Sequence, residues 1–162
     1  MANMLKFVVA IIWCLTGGVA VASDAQGGKP VAENIVEYAT GDVAMERAMQ
    51  QARSTLSRFF ELSQSGLKGD YLVKMRLSDG VHAEHIWVSV TAGNGELLEG
   101  YLANDPTVPG YLIGDVVTLR IDDIEDWMVN TGEVRFGGYT VRAMLKDLSP
   151  EQISEMNLIF RD

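Results

Sequence analysis

The stretch DYLVKMRLSDGVHAEHIWVSV, Asp70 to Val90, decides how this chain folds. Tyr71, Val73, Met75 and Leu77 alternate with Leu72, Lys74, Arg76 and Ser78, a period of two that belongs to a strand. Asp79-Gly80 tolerates positive φ, so a two-residue hairpin turn is expected there, with Val81–Val90 as the return strand. On that strand His82 and His85 are an odd number apart and point to opposite faces. They cannot converge on one metal ion without a bulge, and the zinc-protease pattern needs two histidines four apart on a helix. No metal site and no cofactor is expected. One face carries His85 and Trp87; the other carries Glu84, Ile86, Val88 and Val90 and is the better candidate for core, with Trp87 half-buried against a helix or loop.

Upstream, DVAMERAMQQARSTLSRFFELSQSG changes the period from two to between three and four. Met45, Ala48, Met49, Ala52, Leu56, Phe59 and Phe60 share one face, which predicts a single amphipathic helix capped by Asp42 and ended by Gly66. Such a stripe of Met and Phe must be buried on something, and core packing is the natural reading.

Downstream, Asn94-Gly95 turns the chain into a third strand, ELLEGYLAN. A loop holding Pro106, Pro109, Gly110 and Gly114 follows, then a fourth strand, VVTLRI. DDIEDW gathers Asp122, Asp123, Glu125 and Asp126; Trp127 stands where a calcium loop needs glycine, so a solvated acidic turn is expected. EVRFGGYTVRAML is read as a fifth strand and the start of a sixth, bent at Gly137-Gly138. SPEQISEMNLIF opens with Ser149 as cap, Pro150 at the first helical position and Gln152 three after the cap, which predicts a closing helix. The expected architecture is α+β: an N-terminal amphipathic helix packed on an antiparallel sheet of about five strands, with a short C-terminal helix.

The beginning of the chain has a different composition. Residues 1–22 show one cation at Lys6, an apolar stretch from Phe7 to Leu15 and the small triplet Ala20-Val21-Ala22, the layout of a secretory signal cleaved after Ala22. Residues 23–41 have no apolar period and read as a flexible lead; residues 42–148 are the folded domain, and 149–162 a helical tail. Cleavage removes Cys14, the only cysteine, and Lys6, leaving 12 Lys+Arg against 22 Asp+Glu and a net charge near −10. An exported chain without thiols must rely on its core. No basic cluster exists to bind nucleic acid or an anionic membrane surface, and no membrane span is expected after cleavage. The expected location is periplasmic or secreted.

Several pieces in order, EHIW at Glu84–Trp87, NDP at Asn104–Pro106, GDVVTLRIDDIEDWM at Gly114–Met128 and GGYTVR at Gly137–Arg142, preceded by AMQQARSTLSRFF, resemble the YegJ-like bacterial family, domain of unknown function 2314. The resemblance runs from about Ala44 to Leu145. It implies a small α+β domain, often single and sometimes exported.

Two classes of function follow. The mature chain has no serine elbow, phosphate loop or dinucleotide fingerprint, which favours a non-catalytic binding or interaction module of the cell envelope, immunity- or adaptor-like, whose acidic surface steers a basic protein partner. Its candidate contact residues are His85, Trp87, Asp126, Trp127, Gly137, Gly138, Tyr139 and Arg142. The paired glycines either let a ligand approach the backbone or merely bend a strand over the tryptophans while Arg142 pairs with Asp126. The alternative is a small hydrolase with His85 and Asp126 as acid and base.

Overall fold

A computed structural model describes residues 42–162, together with the backbone of two short paired strands, β1 (Lys6–Phe7) and β2 (Tyr38–Ala39). The expected signal and lead otherwise lie outside the described residues. The rest is a mixed α+β fold in which four helices surround a seven-stranded, mostly antiparallel sheet.

The first helical stretch forms as two helices, α1 (Val43–Ser54) and α2 (Leu56–Gln64), and not as one. Asp42 caps α1 as expected, its side chain accepting from the Met45 amide at 2.9 Å. The break falls at Thr55, where φ −110° and ψ 9° leave the helical region. A side chain from far along the chain meets the break: the Trp127 indole N–H donates to the Ala52 carbonyl and to Thr55 Oγ1, each at 3.1 Å. A donor inserted into the helical ladder diverts a carbonyl from its own turn and bends the axis. Leu56 opens α2 with Phe59 and Leu62 turned into the core.

Then come β3 (Asp70–Ser78) and β4 (Ala83–Gly93), the hairpin the alternation predicts. Its loop is four residues long instead of two. Asp79 Oδ1 accepts from the amides of Val81 and His82, and the Asp79 amide closes on the His82 carbonyl at 3.2 Å. A carboxylate that binds the backbone two and three residues on builds a wider turn than Asp-Gly alone requires. His82 thus belongs to the loop, where its imidazole meets Asp79 Oδ2. Next are β5 (Leu97–Leu102) and β6 (Val116–Arg120), antiparallel neighbours as expected.

The segment expected to be a solvated acidic turn is the largest departure. Only Ile121–Asp123 forms a turn, a single 3-10 turn, and Ile124–Asn130 is a strand, β7, with all seven residues buried. A strand covered on both faces has no polar–apolar alternation to announce it. β8 (Arg135–Gly137) follows, but the chain past Gly138 is a helix, α3 (Tyr139–Leu145), and not a sixth strand. The closing helix α4 (Pro150–Met156) has the full capping box of Ser149 and Gln152. Beyond it Phe160–Arg161 forms β9, which pairs in parallel with β8 and brings the tail back to the sheet.

The sheet order is β6-β5-β4-β3-β7-β8-β9, with β3 at its centre. α1 and α2 cover one face through Ala48, Ala52, Phe59 and Leu62 against Val73, Ile86, Val88, Trp127 and Val129. The opposite face holds a smaller cluster of Leu72, Trp87, Met128 and Val141. α3 joins both, with Tyr139 in the first and Val141 in the second. The reading of one core face on β4 is therefore corrected: Glu84, His85, Ile86, Trp87 and Val88 are all buried.

Candidate functional site

Because β3 is central, its cross-strand partners set the site. Lys74 lies opposite Trp87 on β4 and opposite Asp126 on β7, and Arg76 lies opposite His85. Lys74 is 1% exposed, its ammonium 4.8 Å from the centre of the Trp87 ring and 2.7 Å from Thr140 Oγ1, to which it donates. Burial lowers its pKa to about 8, although the carboxylates of Asp126 and Glu125 pull it upward.

Asp126 is 0% exposed. Its carboxylate accepts four hydrogen bonds: from the amides of Trp127 (2.8 Å), Tyr139 (3.1 Å) and Thr140 (2.8 Å), and from Thr140 Oγ1 (2.6 Å). Two of those amides open α3. The residue at the cap position is Gly138, which has no side chain, so Asp126 caps α3 from a neighbouring strand. Burial pushes its carboxyl above the ordinary value, against the pull of Lys74 and of the Thr140 and Trp127 donors.

The register of β7 slips at this point. Lys74 pairs with Asp126 but Met75 with Ile124, so Glu125 is an extra residue in a bulge. Bulges re-aim side chains. Here Glu125 Oε2 reaches across β3 to His85 Nδ1 in a short, buried hydrogen bond. His85 and Asp126 themselves sit on β4 and β7 with β3 between them, and their partners on β3, Arg76 and Lys74, are two residues apart, a backbone separation of about 12 Å. The imidazole is engaged by Glu125, and the Asp126 carboxylate by α3. The acid–base pair named from the sequence is not formed as a contact in this fold.

The motif residues near His85 are structural in the same sense. Glu84 Oε1 accepts from the amides of Thr107 and Val108 at 2.7 and 2.9 Å, pinning the proline-rich loop so that Val108 is buried. Asn104 Oδ1 accepts from the Trp87 amide at 3.3 Å. EHIW and NDP thus hold each other.

Trp127 and the glycines do meet. Gly137 and Gly138 have φ of +71° and +66°; a Cβ on Gly137 would stand 2.3 Å from the Trp127 carbonyl oxygen and 2.6 Å from Cε3 of its ring. Gly138 faces Phe160 and Met128 instead. Trp127 stacks edge-on with Phe59 and Tyr139, at 6.1 and 6.0 Å between ring centres. Trp87 lies in the other cluster, across the sheet, and the two tryptophans are 2% and 1% exposed rather than presented at a surface. Arg142 does not pair with Asp126; its guanidinium donates to Asp162 Oδ1 at 2.6 Å and to the Arg161 carbonyl at 2.7 Å, and lies over the rings of Tyr139 and Phe160. It ties α3 to β9.

An open groove of about 520 Å³ runs beside the bulge, where the 3-10 turn carries the chain from β6 to β7. Its walls are Met75, Leu97, Thr118 and Leu119, with three guanidinium groups (Arg53, Arg76, Arg120) and three carboxylates (Asp122, Asp123, Glu125). Arg53 is held in place, its Nε donating to the Ile124 carbonyl at 3.1 Å. Sequence reasoning passed over Lys74, Glu84 and the groove arginines. Lys74 shares its face with Leu72, and that shared face was the one available trace of its burial; the groove is assembled from α1, β3, β5, β6 and β7, and no local pattern encodes it.

The chain is similar in sequence to known proteins. The family model described as "Uncharacterized protein conserved in bacteria (DUF2314)" matches residues 42–158. The chain is 30% identical over 132 residues to "Uncharacterized protein YegJ" of Escherichia coli (strain K12), a match covering 80% of this chain and 86% of that protein. It is 32% identical over 78 residues to a protein of Neisseria meningitidis serogroup B named as a candidate ankyrin repeat protein, covering 48% of this chain and 31% of the other. No solved structure matches the chain. With the α+β fold and the matched span together, the chain belongs to the DUF2314 family.

Proposed function

We propose that this protein is an exported, non-catalytic binding module of the bacterial cell envelope, with the β6–β7 groove as its contact site and a basic protein as its partner. One observation carries the reading: the ionisable residues that catalysis would draw on are engaged in holding the fold, Asp126 by α3, Lys74 by Thr140, Glu84 by the proline-rich loop and His85 by Glu125. His85, Trp87, Asp126, Trp127, Gly137, Gly138, Tyr139 and Arg142 serve in this reading as the frame that positions the groove. Export is supported by the layout of residues 1–22, and a basic partner by the net charge near −10 of the cleaved chain, which steers cations toward it.

A photo-crosslinking residue placed at Leu97 or Thr118 in the producing bacterium tests the reading. The expected result is a discrete protein adduct in the periplasmic fraction from both groove positions and none from Gln50, on the exposed side of α1, with a yield that falls as salt rises. Equal adducts from all three positions, or none, would overturn it. The hydrolase alternative keeps one supporting feature, a His85–Glu125 pair whose carboxylate lines the groove. Turnover of ester or peptide substrates that disappears in a folded His85→Ala variant would favour it over binding.

A further inference from the structure

The lining of the groove narrows the chemistry of what it holds. A plain anion drawn to Arg53, Arg76 and Arg120 meets Asp122, Asp123 and Glu125; a plain cation meets the arginines. Only a ligand carrying both signs satisfies both sets. The two best-held charges flank one point of the backbone: Arg53 is fixed on the Ile124 carbonyl, and Glu125, the next residue, is fixed through Oε2 by His85. Such pre-set charges lose little side-chain freedom on binding. By contrast the rim pair Arg120–Asp122 is loose, at 3.6 Å with both side chains largely exposed, and can part around a ligand. Met75, Leu97 and Leu119 add an apolar wall, and about 520 Å³ lies within the range of small-ligand sites, roughly 300–1,000 Å³.

We propose that the groove binds a zwitterionic ligand of the amino-acid or short-peptide class, its carboxylate on Arg53, its ammonium toward Glu125 and its apolar side chain against Leu97 and Leu119. The proposal rests on the reading of the groove as a contact site, and within the groove it replaces the basic protein by a zwitterion as occupant.

The test is an amide chemical-shift titration of the purified chain with the dipeptide alanyl-leucine, with its N-acetylated and C-amidated forms, and with inorganic phosphate. Expected are saturable shifts at Met75, Thr118, Arg120 and Glu125 with the free dipeptide, and binding weakened by about tenfold or more when either terminus is blocked, the loss of one charge-assisted contact. Arg53→Met should weaken the free and N-acetylated forms by a similar factor and leave the amide unchanged; Arg120→Met, at the exposed rim, gives a second reading in a variant whose core is untouched. Absence of saturable shifts, equal binding of the blocked forms, or phosphate binding as tight as the dipeptide would overturn the proposal. Groove crosslinks that persist without dipeptide binding would remove the ligand class alone and leave the protein-binding reading standing.

Discussion

Lys74 shows how much one residue's setting decides. Its amine in the folded chain titrates at about 8, lowered from 10.5 chiefly by burial. Between those values the unfolded chain holds a proton that the folded chain has released, so stability rises with pH across that window. The full span is on the order of 3 kcal/mol. Urea unfolding from about pH 7 to about pH 10 should therefore show the wild type gaining on Lys74→Met as pH increases; a constant gap would mean that the ammonium is solvated. The glycines divide in the same residue-level way. Gly137→Ala puts a Cβ against the backbone oxygen of Trp127 at a positive φ, and should cost more than about 3 kcal/mol. Gly138→Ala meets mainly the Phe160 ring, on a terminal strand that can shift, and should cost distinctly less. Equal losses in chemical unfolding would contradict that assignment. The sequence named both glycines but could not tell which one the tryptophan faces, because that depends on the register of β7 against β8.

Elements were legible where one face is wet and hidden where both are dry. β5 and α1 keep exposed residues in period with buried ones, and their patterns predicted them; β3 was found by the alternation of its residue types, although Leu72, Val73 and Lys74 are all buried. β7 is buried throughout and carries Glu125 and Asp126 in its first half, so composition argued for a turn against the pairing that wins. The YTVRAML segment is rich enough in strand formers to suggest a sixth strand, yet the left-handed Gly138 and the remote cap from Asp126 start a helix. The joint between α1 and α2 was equally out of reach, since the side chain that bonds to it comes from more than seventy positions away. If Trp127 sets that joint, Trp127→Phe should cost about 2 kcal/mol, through the lost donor and a small void. It should also couple to Thr55→Ala by about 0.5 kcal/mol or more in a double-mutant cycle. Strict additivity would assign the break to the local sequence instead.

At the scale of the whole molecule, membership of the DUF2314 family is secured by residues 42–158, which run from the cap of α1 to just beyond α4. The motifs quoted from the sequence turn out to be places where distant segments hold one another: Glu84 on the proline-rich loop, Asn104 on Trp87, Asp126 on α3, Arg142 on β9. Motifs of that kind identify a fold more readily than a reaction. Export makes a separate claim. If Ala22 precedes the cut, Ala22→Leu should block processing, because the peptidase accepts only small side chains there; wild-type chain starting at Ser23 in the periplasmic fraction, and precursor accumulating in the variant, are the expected results, and a full-length wild-type chain in the cytoplasm would contradict them. The central claim, that the buried ionisable cluster builds the domain and does not perform chemistry, has its most direct test in the equilibrium unfolding of Asp126→Asn. The amide turns a donor either toward the Trp127 and Tyr139 amides or toward Thr140, and it removes the charge opposite Lys74, so a loss of about 3 kcal/mol or more is expected. Residues kept for catalysis are commonly neutral or stabilising to replace, because function holds them in unfavourable settings. An Asp126→Asn protein as stable as the wild type, or more so, would contradict a structural role for the cluster.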